Sequence, residues 1–138
     1  MSMWKQLYAL VWLSFLQIVI IVAPPTATYI LDGHALLGLI ILGFAHYNNA
    51  SIKKTEAPAR LKRTTKATAV LASLQAILGV TLYAALMMGL GVPSTLIFAI
   101  SLVHLVIALA IITQASSVAT AYDMWEEHEF TSPPTKPS

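Results

Sequence analysis

The chain has 138 residues, 57% of them hydrophobic and only 10% charged, with a mean hydropathy of +0.74. So few charges cannot cover the surface of a water-soluble domain, and the composition describes a protein whose solvent is lipid. The chain has no cysteine, which excludes disulfides, thiolate catalysis, iron–sulfur clusters and thioether-linked cofactors.

The charges bracket the membrane spans. Uncharged stretches of 26, 20 and 56 residues lie between Lys5 and Asp32, Asp32 and Lys53, and Lys66 and Asp123; one crossing takes ~20 apolar residues. The third stretch holds two crossings, because Gly89-Leu90-Gly91-Val92-Pro93-Ser94 combines helix-stopping glycines with a proline and a capping serine. Four spans are expected, at about 5–23, 28–49, 67–89 and 94–116. The fold class is all-α, an integral membrane antiparallel four-helix bundle with short outer connections and one long inner loop.

The first span follows Lys5 as a signal peptide would. Its apolar run is too long for a signal core and no small-x-small site precedes Pro24-Pro25, so a retained span is expected. Trp4, Tyr8 and Trp12 fit an aromatic belt at its inner end. Gln17, at mid-span, reads as an interhelical hydrogen bond.

The second span carries Asp32 at its outer boundary, then His34, with Gly38 one turn further on. An ionisable or ligating side chain inside a bilayer is costly, so each is a functional candidate. His46 falls ~18 Å deeper and about 120° around the helix from His34, too far to share one metal. Beside Tyr47, Asn48 and Asn49 it reads as an interfacial histidine.

Six of the eight basic residues, Lys53, Lys54, Arg60, Lys62, Arg63 and Lys66, follow the second span. The positive-inside bias makes that loop cytoplasmic, and with it both termini of a multi-pass cell-membrane protein. The segments around 24–27 and 91–94 then face outside. Topology thus accounts for the sequence pI of 9.0, and no nucleic-acid partner is implied.

In the third span, Gln75 and Gly79 share a face. A glycine there admits close approach of a neighbour or a cofactor; packing alone would also use such small and polar residues. The fourth span carries His104, flanked on its own face by Ser101 and Ala108. Beyond it, Tyr122 and Trp125 extend the belt, His128 lies among glutamates as a solvated residue, and 131–138 reads as a disordered cytoplasmic tail.

His34 is expected ~12 Å and His104 ~15 Å below the outer ends of their spans, and both spans run in the same direction. Taken singly, each imidazole could simply satisfy a neighbouring helix. Two at matched depth, each beside small residues, point instead to a planar cofactor clamped between the second and fourth helices. Heme suits the pair better than zinc, since no third protein ligand stands at that depth.

Asp32-Gly33-His34-Ala35-Leu36-Leu37-Gly38 resembles the ligand-helix signature of heme A synthases, acid-x-x-His-Arg-x-x-Gly. Leu74-Gln75-Ala76-Ile77-Leu78-Gly79 resembles that family's LQxxLG helix, and Leu102-Val103-His104-Leu105 with Ala108 its last ligand helix. Here the acid stands two residues before the histidine rather than three, and Ala35 replaces the arginine. Family members join two such bundles in one chain, so a single bundle implies a homo-oligomer.

The resemblance implies heme b, or heme O and heme A as substrate and product, bound through iron by His34 and His104. Gly38, Gln75, Gly79, Ser101 and Ala108 would line the site and Asp32 would serve as its catalytic acid. The implied reaction oxidises a porphyrin methyl group of heme O to the formyl of heme A. The alternative is a small b-type cytochrome carrying electrons from quinol; a heme-free assembly subunit is a third reading. Without an outer Lys or Arg, Thr26, Thr28, Tyr29, Ser94 and Thr95 are the expected partners of heme propionates.

Overall fold

The computed structural model describes residues 2–22 and 28–131, and over these the chain is four helices. They are α1 (Met3–Val22), α2 (Thr28–Ile52), α3 (Ala59–Met87) and α4 (Ser94–Thr131). All four are long and apolar enough to cross a membrane. The expected outer segment at 24–27 and residues 132–138 of the expected tail lie outside the described residues.

The helix boundaries follow local chemistry. Gly89 and Gly91, at φ of 58° and 62°, take the left-handed conformation that ends a helix without a Cβ penalty. Pro93 then starts the next one, accepting from the Leu96 amide at 3.0 Å. Between α2 and α3, the Thr55 hydroxyl donates to the Ile52 carbonyl at 2.8 Å and accepts from the Ala57 amide at 3.3 Å. That short knot turns the chain.

The helices outrun the expected spans. α3 begins at Ala59 rather than 67, and α4 continues to Thr131 rather than stopping near 116. The end of an apolar run marks where lipid ends, whereas the backbone ladder continues through good helix formers such as Arg60, Leu61, Lys62, Ala119 and Glu126. At ~1.5 Å per residue, α4 measures about 57 Å against a hydrocarbon core of about 30 Å. Thr131, expected in the tail, closes α4 instead.

Each helix packs on its neighbours in sequence, and α1 also packs on α4. The bundle is therefore a square of antiparallel neighbours, with α2 and α4 parallel on one diagonal and out of backbone contact. Nearest the 53–58 turn, Leu7, Ile52, Leu61, Val118, Ala119 and Tyr122 close one buried cluster. Leu10, Ile41, Ala45, Ala69, Ala72, Ile111 and Ala115 form a second above it.

Polar side chains in this half bond across helices. Asn48, fully buried, donates to the Gln6 carbonyl at 3.2 Å, and the Thr68 hydroxyl to Gln114 Oε1 at 3.2 Å. Outside, the pattern of a soluble protein is inverted: Trp12, Ile77 and Phe98 are 66%, 63% and 70% exposed. Such a surface needs an apolar solvent.

Above the second cluster the interior opens. Ala119→Leu, at a fully buried position, should therefore destabilise the protein by about 1–3 kcal/mol through overpacking. Ala76→Leu, in the open half, should be tolerated. Thermal melting of the two variants in detergent checks the contrast, and equal losses would show that both halves are equally filled.

Candidate functional site

In the half of the bundle away from the 53–58 turn, the four helices enclose a cavity of about 560 Å³, well within the range of small-molecule and cofactor pockets. Ile41, Ala72 and Ile111 of the second core cluster line its inner end. Its walls come from one stripe of each helix. Gln17, Ile18 and Ile21 represent α1; His34, Gly38 and Leu39 represent α2; Gln75, Gly79 and Tyr83 represent α3; Ser101, His104 and Ala108 represent α4. Within each helix the main positions recur at three or four residues, as one face requires, and Ile18 and Leu39 widen the stripe.

His34, Gly38, Gln75, Gly79, Ser101, His104 and Ala108 all line this one cavity. His34 and His104 face each other across the α2–α4 diagonal, their ring centres 6.3 Å apart and the rings inclined at 52°. His34 is six residues into α2, ~9 Å from its start; that start is the expected one at residue 28, so the ~12 Å of the sequence reading overstated its depth.

The interhelical bond expected of Gln17 is made, and its partner is the backbone at His34. Gln17 Nε2 donates to the His34 carbonyl at 2.8 Å, and the His34 Nδ1–H donates to the Gln17 carbonyl at 3.2 Å. This reciprocal pair joins α1 to α2 and sets the tautomer: with the proton on Nδ1, Nε2 keeps its lone pair for a ligand. Gly38 makes room for it, since a Cβ there would lie 3.3 Å from Gln17 Nε2.

His104 is held differently. The edge of its ring bears on α3, where a Cβ on Gly79 would come within 3.1 Å of Cε1. Both glycines therefore have a local task, admitting one polar side chain each. His104 Nδ1, Gln75 Oε1 and Gln17 Oε1 are buried without hydrogen-bond partners. Leaving such atoms unpaired costs about 1–3 kcal/mol each.

Asp32 stands apart. It is exposed, does not line the cavity, and accepts the Tyr83 hydroxyl at 2.7 Å. Tyr83 does line the cavity, so the acid reaches it through a tyrosine that the sequence reading passed over. The signal was there: Gln75, Gly79 and Tyr83 are successive i+4 positions.

His46 pairs with the Ser73 hydroxyl at 2.9 Å on an exposed face between α2 and α3, and His128 occupies the last turn of α4. Neither lines the cavity. Tyr29, Ser94 and Thr95 are exposed and also outside its lining, Thr28 opens α2, and Thr26 lies outside the described residues. Among the described residues no three His, Cys, Asp or Glu side chains converge on one point. A metal here would have two protein ligands, the number an equatorially chelated iron takes axially and too few for tetrahedral zinc.

Gly79→Val should push the His104 ring aside and cost about 1–3 kcal/mol by overpacking. Gly43→Val is the control, because nothing lies within 4 Å of a Cβ at Gly43. Melting in detergent should separate the two; a Gly79→Val protein as stable as the control would mean that the ring is free to retreat into the cavity.

Comparison of this chain with protein-family models, with curated proteins and with solved structures gives no match.

Proposed function

We propose that this chain is a heme-binding membrane protein whose porphyrin lies between α2 and α4, with His34 and His104 as axial ligands. The observation that carries the reading is the separation of the two rings. An imidazole nitrogen lies about 2 Å from a bound metal, and the ring centre about 1 Å beyond that. Two imidazoles on opposite faces of one iron therefore have centres about 6 Å apart, and here they are 6.3 Å apart. The cavity volume, the small residues Gly38, Gly79, Ser101 and Ala108 on its walls, and the lone pair left on His34 Nε2 support the same assignment.

Bound iron supplies one-electron transfer and, where an axial position opens, oxygen chemistry. The resemblance of the Asp32–Gly38, Leu74–Gly79 and Leu102–Ala108 segments to heme A synthases favours oxidation of the methyl group of heme O to the formyl of heme A. In this reading Tyr83 and Asp32 hold a proton path at the edge of the cavity, Tyr83 donating inward or outward and Asp32 accepting at the exposed end. Gln17 and Gln75 offer amide oxygens to donors on the guest.

The basic residues from Lys53 to Lys66 orient the bundle with that loop and both termini in the cytoplasm. The site then lies toward the outer leaflet of the cell membrane. A second copy of the chain would supply the second bundle that family members carry covalently. The carrier reading, a b-type cytochrome accepting electrons from quinol, draws on one observation: both axial positions already have an imidazole at ligand spacing, which suits electron transfer.

Expression with and without a heme O source, followed by pigment extraction, tests both. A Soret band in the purified protein that is lost in the double variant His34→Ala, His104→Ala is expected, together with a formyl-bearing heme when heme O is supplied. Unchanged heme b with rapid quinol reduction would favour the carrier. A colourless protein from heme-replete cells would remove the heme reading.

A further inference from the structure

We infer that the two imidazoles are unequal ligands: His34, fixed by Gln17, is the permanent one, and His104 is the one that gives way to a small diatomic ligand. The inference rests on the heme reading above and adds which face of the porphyrin opens.

The asymmetry lies in what stands behind each ring. The His34 Nδ1–H donates to the Gln17 carbonyl at 3.2 Å while Gln17 Nε2 donates back to the His34 carbonyl at 2.8 Å. A histidine that donates its distal N–H to a carbonyl is held in orientation and made a more basic ligand. Displacing His34 means breaking that bond inside a low-dielectric bundle, where its groups would find no water.

His104 has no such partner. Its Nδ1 is buried with no hydrogen bond, and what it bears on is the bare backbone side of Gly79. Ser101 and Ala108, one turn to either side on α4, are small, so the ring can turn along its own helix without meeting a bulky neighbour. Its departure from iron breaks no hydrogen bond within the protein.

The full chain loaded with heme b in detergent is the test material, with carbon monoxide as the probe. In the reduced wild-type protein carbon monoxide should bind by displacing one axial histidine. His104→Ala should keep its heme as a five-coordinate, high-spin species that takes up carbon monoxide faster than wild type. His34→Ala should hold heme more weakly than His104→Ala, by at least the roughly 10–100-fold that losing a ligand's hydrogen-bond partner alone costs.

Gln17→Leu keeps both histidines and the backbone carbonyl that accepts the His34 Nδ1–H and removes only the amide that donates to the His34 carbonyl, so it should weaken heme retention by no more than about 10-fold. If the alanine variants do not fold, His34→Gln and His104→Gln, closer in size to histidine, carry the same comparison of heme retention. A wild-type protein that holds heme but refuses carbon monoxide, equal heme loss from the two histidine variants, or the reverse order would each overturn the inequality and leave the heme site standing. A wild-type protein that takes up no heme would overturn the heme reading itself.

Discussion

Lipid offers a side chain no hydrogen bond, and that constraint organises this molecule. Every polar group within the apolar length of the bundle must find its partner inside the protein or in a guest. In the half near the 53–58 turn Asn48 Nδ2 reaches the Gln6 carbonyl and Thr68 reaches Gln114, while Asn48 Oδ1 and Asn49 Oδ1 are buried without partners. In the other half Gln17 pairs with His34 and Tyr83 with Asp32, while His104 Nδ1, Gln75 Oε1 and Gln17 Oε1 are buried without hydrogen-bond partners.

The difference between the ends comes from side-chain size and pairing. Ala45, Ala69, Ala72 and Ala115 let the helices close at the second cluster, where Leu10, Ile41 and Ile111 fill what remains. One or two turns further, Gly38, Gly79, Ser101 and Ala108 are as small, yet no large residue enters the space between them. Small residues that bring helices together at one level thus leave a void at the next. The walls of this void are mostly apolar, with a few polar groups set among them, His34, Gln75 and His104 included, the make-up of small-molecule sites in general.

The sequence made four spans legible because charge is so sparse that its gaps count the crossings. It also made part of the cavity legible: the two histidines, the small residues one turn from each, and Gln75 and Gly79 on the third span are seven of its lining residues. Helix lengths were less legible, since hydropathy reports where lipid ends and says nothing about where the backbone ladder ends. Tyr83 was missed for a related reason: a tyrosine near a span end reads as part of an interfacial belt, and only its register with Gly79 and Gln75 sets it on the inner face. Asp32 was placed correctly at the boundary but not in its relation to the site, because a bond between residues 51 apart in sequence leaves no local trace.

The spacing of the two imidazoles is a property of the whole bundle rather than of the helices that carry them. α2 and α4 do not touch through their backbones, so neither fixes the position of the other. α1 holds the His34 ring from one side through the Gln17 pair, and α3 backs the His104 ring from the other through the bare face of Gly79. Because α1 and α3 both pack on α2 and on α4, each serves as a spacer across the diagonal. A shift of either spacer by a fraction of an ångström would be carried to the ring separation. Closing the lower clusters therefore does more than stabilise the fold: it sets the frame from which two side chains, with no contact between their own helices, are held at the distance one metal ion would bridge.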